Sequence, residues 1–140
     1  MGGLTLTLRP GERFLVGGLL LENGPKRSSV TVKDEDVFVL RLSDAIRPDQ
    51  AQTPVRRAYH AAQRILACEV TVKEGRAPLL DLLADLKGAL AGTALEETVL
   101  RAQEAAETGR YHGTLAALKT LFTIEDALLS PGEARARVAR

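Results

Sequence analysis

Apolar and polar residues alternate with a period of two in the first part of the chain, which is typical of half-buried β-strands. The clearest run is Leu4-Thr5-Leu6-Thr7-Leu8. Between such runs stand Arg9-Pro10-Gly11-Glu12, Gly17-Gly18 and Asn23-Gly24-Pro25, whose proline and glycine residues favour tight turns. The pattern predicts an antiparallel meander, with a further turn at the acidic run 34–36. Its predicted strands are 4–8, 13–16, 19–22, 29–33 and 37–41.

From residue 53 onward the spacing of apolar residues becomes helical. Thr53 and Pro54 form a good helix start, because Thr caps the free backbone amides and Pro at the first helical position loses no needed hydrogen bond. The first helix is predicted to reach about Glu69. Gly75 marks 73–77 as a loop, and Pro78 is predicted to open the second helix. The apolar face of that helix comprises Leu79, Leu82, Leu83, Leu86 and Leu90.

Two more helices are predicted behind Gly92. Thr93 and Glu96 fit a capping box, which would start a third helix that runs to about Thr108. Gly109 permits the turn into a fourth helix, and the tail after Ser130 is expected to fray. The fourth helix is lined by Leu115, Leu118, Leu121, Phe122 and Leu129.

The two patterns together predict an α+β fold, in which an N-terminal antiparallel β-meander precedes a bundle of about four helices. We assign residues 1–50 to an antiparallel β subdomain and residues 51–140 to a helical subdomain. A chain of 140 residues is long enough to bury a core without disulfides or a structural metal.

Composition restricts the classes of function. The formal net charge is +1, whereas proteins that bind nucleic acid mainly through charge usually show a clear basic excess. Aromatic residues make up only 4% of the chain, so surfaces on which bases could stack are scarce. The chain start lacks the pattern of a secretory signal, and no apolar run is long enough for a membrane span. We therefore expect a cytoplasmic protein that does not enter membranes.

Residues suited to catalysis or metal binding are sparse. His60 and His112 have no partners at ligand-like spacing, and Cys68 is predicted to be a buried structural thiol. The sequence has neither a nucleophile elbow nor a phosphate-binding loop. The acidic run 34–36 is best interpreted as a solvated turn. These observations argue against an enzyme, a bound metal and a cofactor.

The candidate functional residues are basic. Most stand at strand ends and turns of the predicted sheet, where an arginine fork could bind phosphate or a guanine edge. Solvated surface charge is the simpler interpretation of their spacing, and RNA binding is the alternative. Arg56 and Arg57 follow in the first helix. The candidate RNA-binding residues are Arg9, Arg13, Lys26, Arg27, Arg41 and Arg47.

Three stretches of the sequence resemble the FlbT family of flagellin regulators. They are 8–14 (Leu-Arg-Pro-Gly-Glu-Arg-Phe), Glu22-Asn23-Gly24, and the proline-containing stretch from Asp44 to Tyr59, which is the most specific. A weaker likeness lies at Gly109-Arg110-Tyr111 and in the helix behind it. The resemblance implies a post-transcriptional regulator of flagellum assembly. Such a regulator binds the 5′ untranslated leader of flagellin mRNA, inhibits translation and promotes decay alongside a companion protein, FlaF. In some relatives the effect on flagellin is positive.

The first 41 residues also resemble, more faintly, the CsrA family of RNA-binding repressors. The likeness lies in Thr7-Leu8-Arg9-Pro10-Gly11-Glu12 and in Val37-Phe38-Val39-Leu40-Arg41. It implies that Arg9 and Arg41 contact RNA, and it suggests a homodimer. Leu8 stands where that family usually has a further arginine.

A second class of function stays open at this point. The leucine-rich helical half could leave a groove for a partner helix. The chain would then be a protein-binding adaptor or a chaperone-like factor for flagellin or a FlaF-like partner, and any effect on RNA would be indirect.

Overall fold

The computed structural model describes residues 4–34 and 36–128, and it has the predicted α+β class. Five short strands come first, followed by two 3₁₀ turns and then the helices. Glu35, Leu129 and the tail after Ser130 lie outside the described residues. The strands are β1 (Leu4–Leu8), β2 (Arg13–Val16), β3 (Leu19–Glu22), β4 (Ser28–Val32) and β5 (Val39–Arg41).

The strands pair antiparallel but form two sheets, with the order β1-β4 in one and β3-β2-β5 in the other. A meander pairs each strand with the next along the chain, and here only the β2–β3 hairpin does so. The hairpin turns at Gly17 and Gly18, whose φ angles of +58° and +84° suit glycine. Between β1 and β4 the register runs from Leu4 opposite Val32 to Leu8 opposite Ser28.

The helices occupy the second half of the chain. Helix α1 begins at Pro54 as predicted, and the hydroxyl of Thr53 accepts a hydrogen bond from the amide of Arg56. Within the described ranges no helix is long and apolar enough to cross a membrane. The helices are α1 (Pro54–Leu66), α2 (Val72–Ala89), α3 (Glu96–Glu107), α4 (Tyr111–Lys119) and α5 (122–128).

The predicted end of α1 and the predicted burial of Cys68 are both wrong. The helix stops at Leu66, and Cys68 takes a left-handed conformation with φ of +60°. The amide of Cys68 donates to the carbonyl oxygen of Ile65, and that of Glu69 to Arg64. This is a Schellman C-cap with cysteine in the position that glycine usually takes. The turn carries the Cys68 side chain out to solvent.

The predicted start of α2 is also wrong. The segment 73–77 is helical and Pro78 lies inside the helix, which begins six residues earlier at Val72. Thr71 and Glu74 form a capping box, in which each side chain accepts the other residue's backbone amide. The two hydrogen bonds fix the helix start ahead of the glycine and the proline.

The predicted capping box, Thr93 with Glu96, does not start α3 as expected. Thr93 accepts from the amide of Leu95, Glu96 accepts from the amide of Gly92, and the helix begins only at Glu96. These side chains stabilise the turn before the helix. The predicted fourth helix is divided at residues 120–121 into α4 and α5.

Two apolar cores meet at β5. The smaller core lies among the strands and contains Leu6, Leu8 and Phe14, while the larger one fills the helical half. Val39 packs into the first and the adjacent Leu40 into the second, and each is at most 3% exposed. Because both faces of β5 are covered, this strand attaches the five strands (residues 4–41, called the β-unit) to the helices. The domain boundary near residue 50 stays a prediction.

The last helix is attached to the start of α1 by a buried carboxylate. Glu125 accepts hydrogen bonds from the Thr53 hydroxyl at 2.5 Å, the Val55 amide at 2.9 Å and the Arg56 guanidinium at 2.7 Å. The Arg56 guanidinium also lies over the Phe122 ring, 4.4 Å from its centre. The contact with Val55 satisfies one of the backbone amides that a helix start leaves free.

Candidate nucleic-acid interface

The side chain of Asn23 joins the turn after β1 to the turn before β4. Its Nδ2 atom donates to the carbonyl oxygen of Arg9 at 2.7 Å, of Lys26 at 3.0 Å and of Leu8 at 3.4 Å. Its Oδ1 atom accepts from the Ser28 hydroxyl at 2.6 Å. One amide group therefore holds together chain segments that are 14 residues apart.

Arg9, Lys26 and Arg27 meet at this point, and we call them the basic tip. Leu8 at the end of β1 is paired with Ser28 at the start of β4, and Arg9 and Arg27 are the residues that directly follow and precede this last pair. The amide of Gly11 donates to the carbonyl oxygen of Gly24 at 3.0 Å and joins the two turns a second time. All three side chains of the basic tip are exposed. Within the described ranges, none of them forms a side-chain ion pair.

The guanidinium of Arg41 is hydrogen-bonded to other residues of the β-strands and turns, close to the turn that carries Arg9. Its Nη1 atom is 2.6 Å from Oε2 of Glu12, and its Nη2 atom donates to the carbonyl oxygen of Thr7 at 3.0 Å. The other oxygen of Glu12 accepts the amide of Arg9 at 2.9 Å. The backbone hydrogen bond from Arg9, and then Arg41, hold the pKa of Glu12 below its usual value. Arg41 therefore connects β5 to β1 and supports the turn that carries Arg9.

The remaining two predicted residues are not part of the basic tip. Arg13 is 2.9 Å from Glu22 on the neighbouring strand, and both side chains are exposed. Arg47 pairs with Asp49 at 3.1 Å in the segment between β5 and α1. The adjacent residue Ile46 is hydrogen-bonded to the side chain of Gln63 in α1. The structure thus brings three of the six predicted residues together in the basic tip. The other three, Arg13, Arg41 and Arg47, each form an ion pair with a carboxylate.

Asn23 is the residue that the sequence analysis did not single out as functional. The Asn-Gly-Pro signal predicted its turn, but turn preferences are local, and the partners of the side chain lie far along the chain. No group of three His, Cys, Asp or Glu side chains within 4–34 and 36–128 is arranged to hold a metal ion.

Comparison with known proteins gives one consistent family. The model of the flagellar protein FlbT family matches residues 4–129. A probable flagellum biosynthesis repressor protein FlbT from Caulobacter vibrioides is 27% identical over 126 residues, which cover 90% of this chain and 89% of the relative. The Agrobacterium fabrum protein of the same name is 28% identical over 93% of this chain and 86% of its own length. In Caulobacter sp. strain K31, another is 43% identical over 40% of this chain and 42% of its own length. No solved structure matches the chain.

Proposed function

Because the chain belongs to the FlbT family of flagellar proteins, we propose that it regulates flagellum biogenesis by binding the 5′ untranslated leader of flagellin mRNA. Bound there, it represses translation and promotes degradation of the message. The names of the relatives, flagellum biosynthesis repressor, support the biological process. The juxtaposition of Arg9, Lys26 and Arg27 by Asn23 is the observation that carries the binding step.

The basic tip supplies a local charge that the whole chain lacks. Three exposed cations stand together, although the formal charge of the protein is only +1. Two carboxylates close to these turns in the chain, Glu12 and Glu22, are engaged by Arg41 and Arg13, so they neutralise less of this charge. Guanidinium and ammonium groups on adjacent turns suit phosphates of a single-stranded loop. The mechanism requires no catalysis by this chain, because cellular nucleases can degrade a message that is not translated.

The first prediction concerns the salt dependence of binding to a flagellin leader transcript. Each phosphate contact to single-stranded RNA contributes about 0.7 to the slope of log K against log salt concentration, so three contacts give a slope of about −2. Replacing Arg9, Lys26 or Arg27 by Ala should reduce the slope by about 0.7 for each substitution. Filter binding or fluorescence anisotropy across a salt series measures it.

Arg101→Ala is the matched control, since it removes an exposed arginine from α3, away from the basic tip. It should leave the slope unchanged. Absence of binding at low salt, or an equal effect of Arg101→Ala and Arg9→Ala, would contradict binding through the basic tip.

An apolar groove favours the second candidate function, a protein-binding adaptor or chaperone-like factor for flagellin or a FlaF-like partner. The groove has a volume of about 180 Å³ and lies between the start of α1, the end of α2 and α5. Ile124 and Leu128 on α5 are 37% and 65% exposed at this site. Capture of purified flagellin by the full chain, and its loss in Leu128→Asp, would favour the adaptor over direct RNA binding.

A further inference from the structure

A cleft separates the β-unit from the helices on the side of β1 and β5. It has a volume of about 290 Å³, close to the lower end of the range for small-ligand sites. Its walls are mostly apolar. The residues that form the apolar walls are Leu4, Leu6, Val39, Leu40, Leu115 and Ala116.

The charges at the cleft are balanced. Arg41 is paired with Glu12 at 2.6 Å, and Lys119 of α4 is paired with Asp44 at 2.7 Å. An anion such as phosphate would have to compete with these carboxylates for each cation. A flat, uncharged ring needs no such exchange and gains from the apolar walls. The cleft therefore favours an uncharged heterocycle over a phosphate group.

Two aromatic side chains at the cleft offer hydrogen-bonding atoms to such a ring. The imidazole of His112 is exposed, and its Nε2 atom contacts the carbonyl oxygen of Val39, which leaves Nδ1 for a ligand. The hydroxyl of Tyr59 donates to the carbonyl oxygen of Asp44 at 2.5 Å. Burial, together with Asp44, raises the pKa of Tyr59 to about 12, so its oxygen stays protonated and can still accept one hydrogen bond.

The cleft and the basic tip lie along the same strand. Leu6 lines the cleft and stands three residues before Arg9, a distance of roughly 10 Å along β1. Arg41 borders the cleft and also binds Glu12 beneath the turn that carries Arg9. Because successive side chains of a strand point to opposite faces, Arg9 continues the face of β1 opposite to Leu6. An RNA strand whose phosphates lie on the basic tip therefore has to cross the edge of β1 to place one base in the cleft.

We infer that this cleft binds one unstacked nucleobase of the RNA strand that the basic tip holds. The inference rests on the proposed function and adds a source of base preference to it. Phosphate contacts alone carry no sequence information, whereas a base that leaves the stack and enters a pocket is recognised by its shape and edges. Leu6, Leu115 and Ala116 would contact the faces of the base, and His112 and Tyr59 its edge.

The test compares short RNA homopolymers of the four bases with the same chains made abasic, using the full-length protein. The wild-type protein should bind its preferred homopolymer about tenfold more tightly than the abasic chain, which is the effect of one stacked base. Ala116→Phe places a ring in the cleft from an exposed position on α4, so the fold should be retained. This variant should bind both chains with equal affinity. Ala84→Phe, at an exposed position on α2, should behave as wild type.

The outcomes separate the cleft from the basic tip. If binding depends on Arg9, Lys26 and Arg27 but Ala116→Phe keeps the tenfold preference, the cleft does not bind a base and the proposed function stands. If no RNA binds at low salt, the proposed function itself fails. If only N-acetylphenylalanine amide shifts the methyl resonances of Leu115 and Ala116, the cleft receives a protein side chain, which overturns the inference.

Discussion

Glu12 is the residue on which the geometry of the β1 turn depends. Its two oxygens accept the Arg9 amide at 2.9 Å and the Arg41 guanidinium at 2.6 Å, and its side chain is only 7% exposed. Both bonds favour the ionised form, so the pKa of Glu12 lies below the ordinary value of 4.5. The carboxylate therefore stabilises the folded chain wherever it is ionised.

The second prediction is that this stabilisation is lost in acid. The unfolded chain binds a proton at Glu12 near pH 4.5, whereas the folded chain does so only at lower pH, so the contribution is fully present above pH 4.5. It should disappear as the pH falls through the lowered pKa. Glu12→Gln should therefore be less stable than wild type at neutral pH and approach its stability as the pH falls below the lowered pKa of Glu12. Urea unfolding across this range measures the difference, and a constant gap would contradict the assignment.

At the same scale, the sequence predicts the basic residues of the turns but not the partners of their side chains. It singled out Arg9, Lys26 and Arg27 because turn chemistry places them at strand ends. It does not predict that Arg41 is paired with Glu12, because the two residues are 29 positions apart and local patterns carry no information on that pairing. Cys68 was misplaced for a related reason, because the helix ends in a left-handed turn without the usual glycine.

At the scale of the element, Gly75 has a role in helix packing, although its sequence context predicts a loop. A Cβ atom at this position would lie 2.7 Å from Cγ1 of Ile65 and 2.9 Å from Cγ2 of Val70. The residue is in a helix, and its missing side chain lets α2 approach the end of α1 closely. Sequence periodicity predicts that a helix exists far better than it predicts such a contact, which depends on the partner helix.

The third prediction uses two glycines of the same helix. Gly75→Ala should destabilise the protein by about 1–3 kcal/mol, because overpacking outweighs the gain in helix propensity. Gly88 has no atom within 4 Å of an added Cβ, so Gly88→Ala should stabilise it by about 0.5 kcal/mol. Thermal or urea unfolding of both variants checks the signs. Stabilisation by Gly75→Ala would show that the two helices do not meet in this way.

On the scale of the whole molecule, the α+β order of the fold followed from the change in period near residue 53. The strand order did not follow, because β1 pairs with β4 across the β2–β3 hairpin and β5 joins the far side of β2. Alternation tells which face of a strand is buried but does not tell which strand lies beside it. The covered faces of β5, which join the two cores, are therefore visible only in three dimensions.

The last prediction concerns association of the chain with a second copy, which the faint likeness to CsrA also suggested. Leu19, Leu20 and Leu21 of β3 are 69%, 56% and 42% exposed, and no other described strand pairs with the outer edge of β3. Edge strands usually carry charges that oppose pairing, and the net charge of +1 adds little repulsion between copies. Antiparallel pairing of β3 with its copy would give an isologous dimer with a continuous sheet of six strands.

Sedimentation over a range of concentrations should therefore show a dimer for the wild type. Leu20→Lys should shift it to monomer, because two lysines would face each other near the two-fold axis. Thr31→Lys is the matched control, since it adds the same charge to an exposed position of the other sheet. A wild-type chain that is monomeric at every concentration, or equal dissociation by both variants, would show that β3 is not where two copies meet.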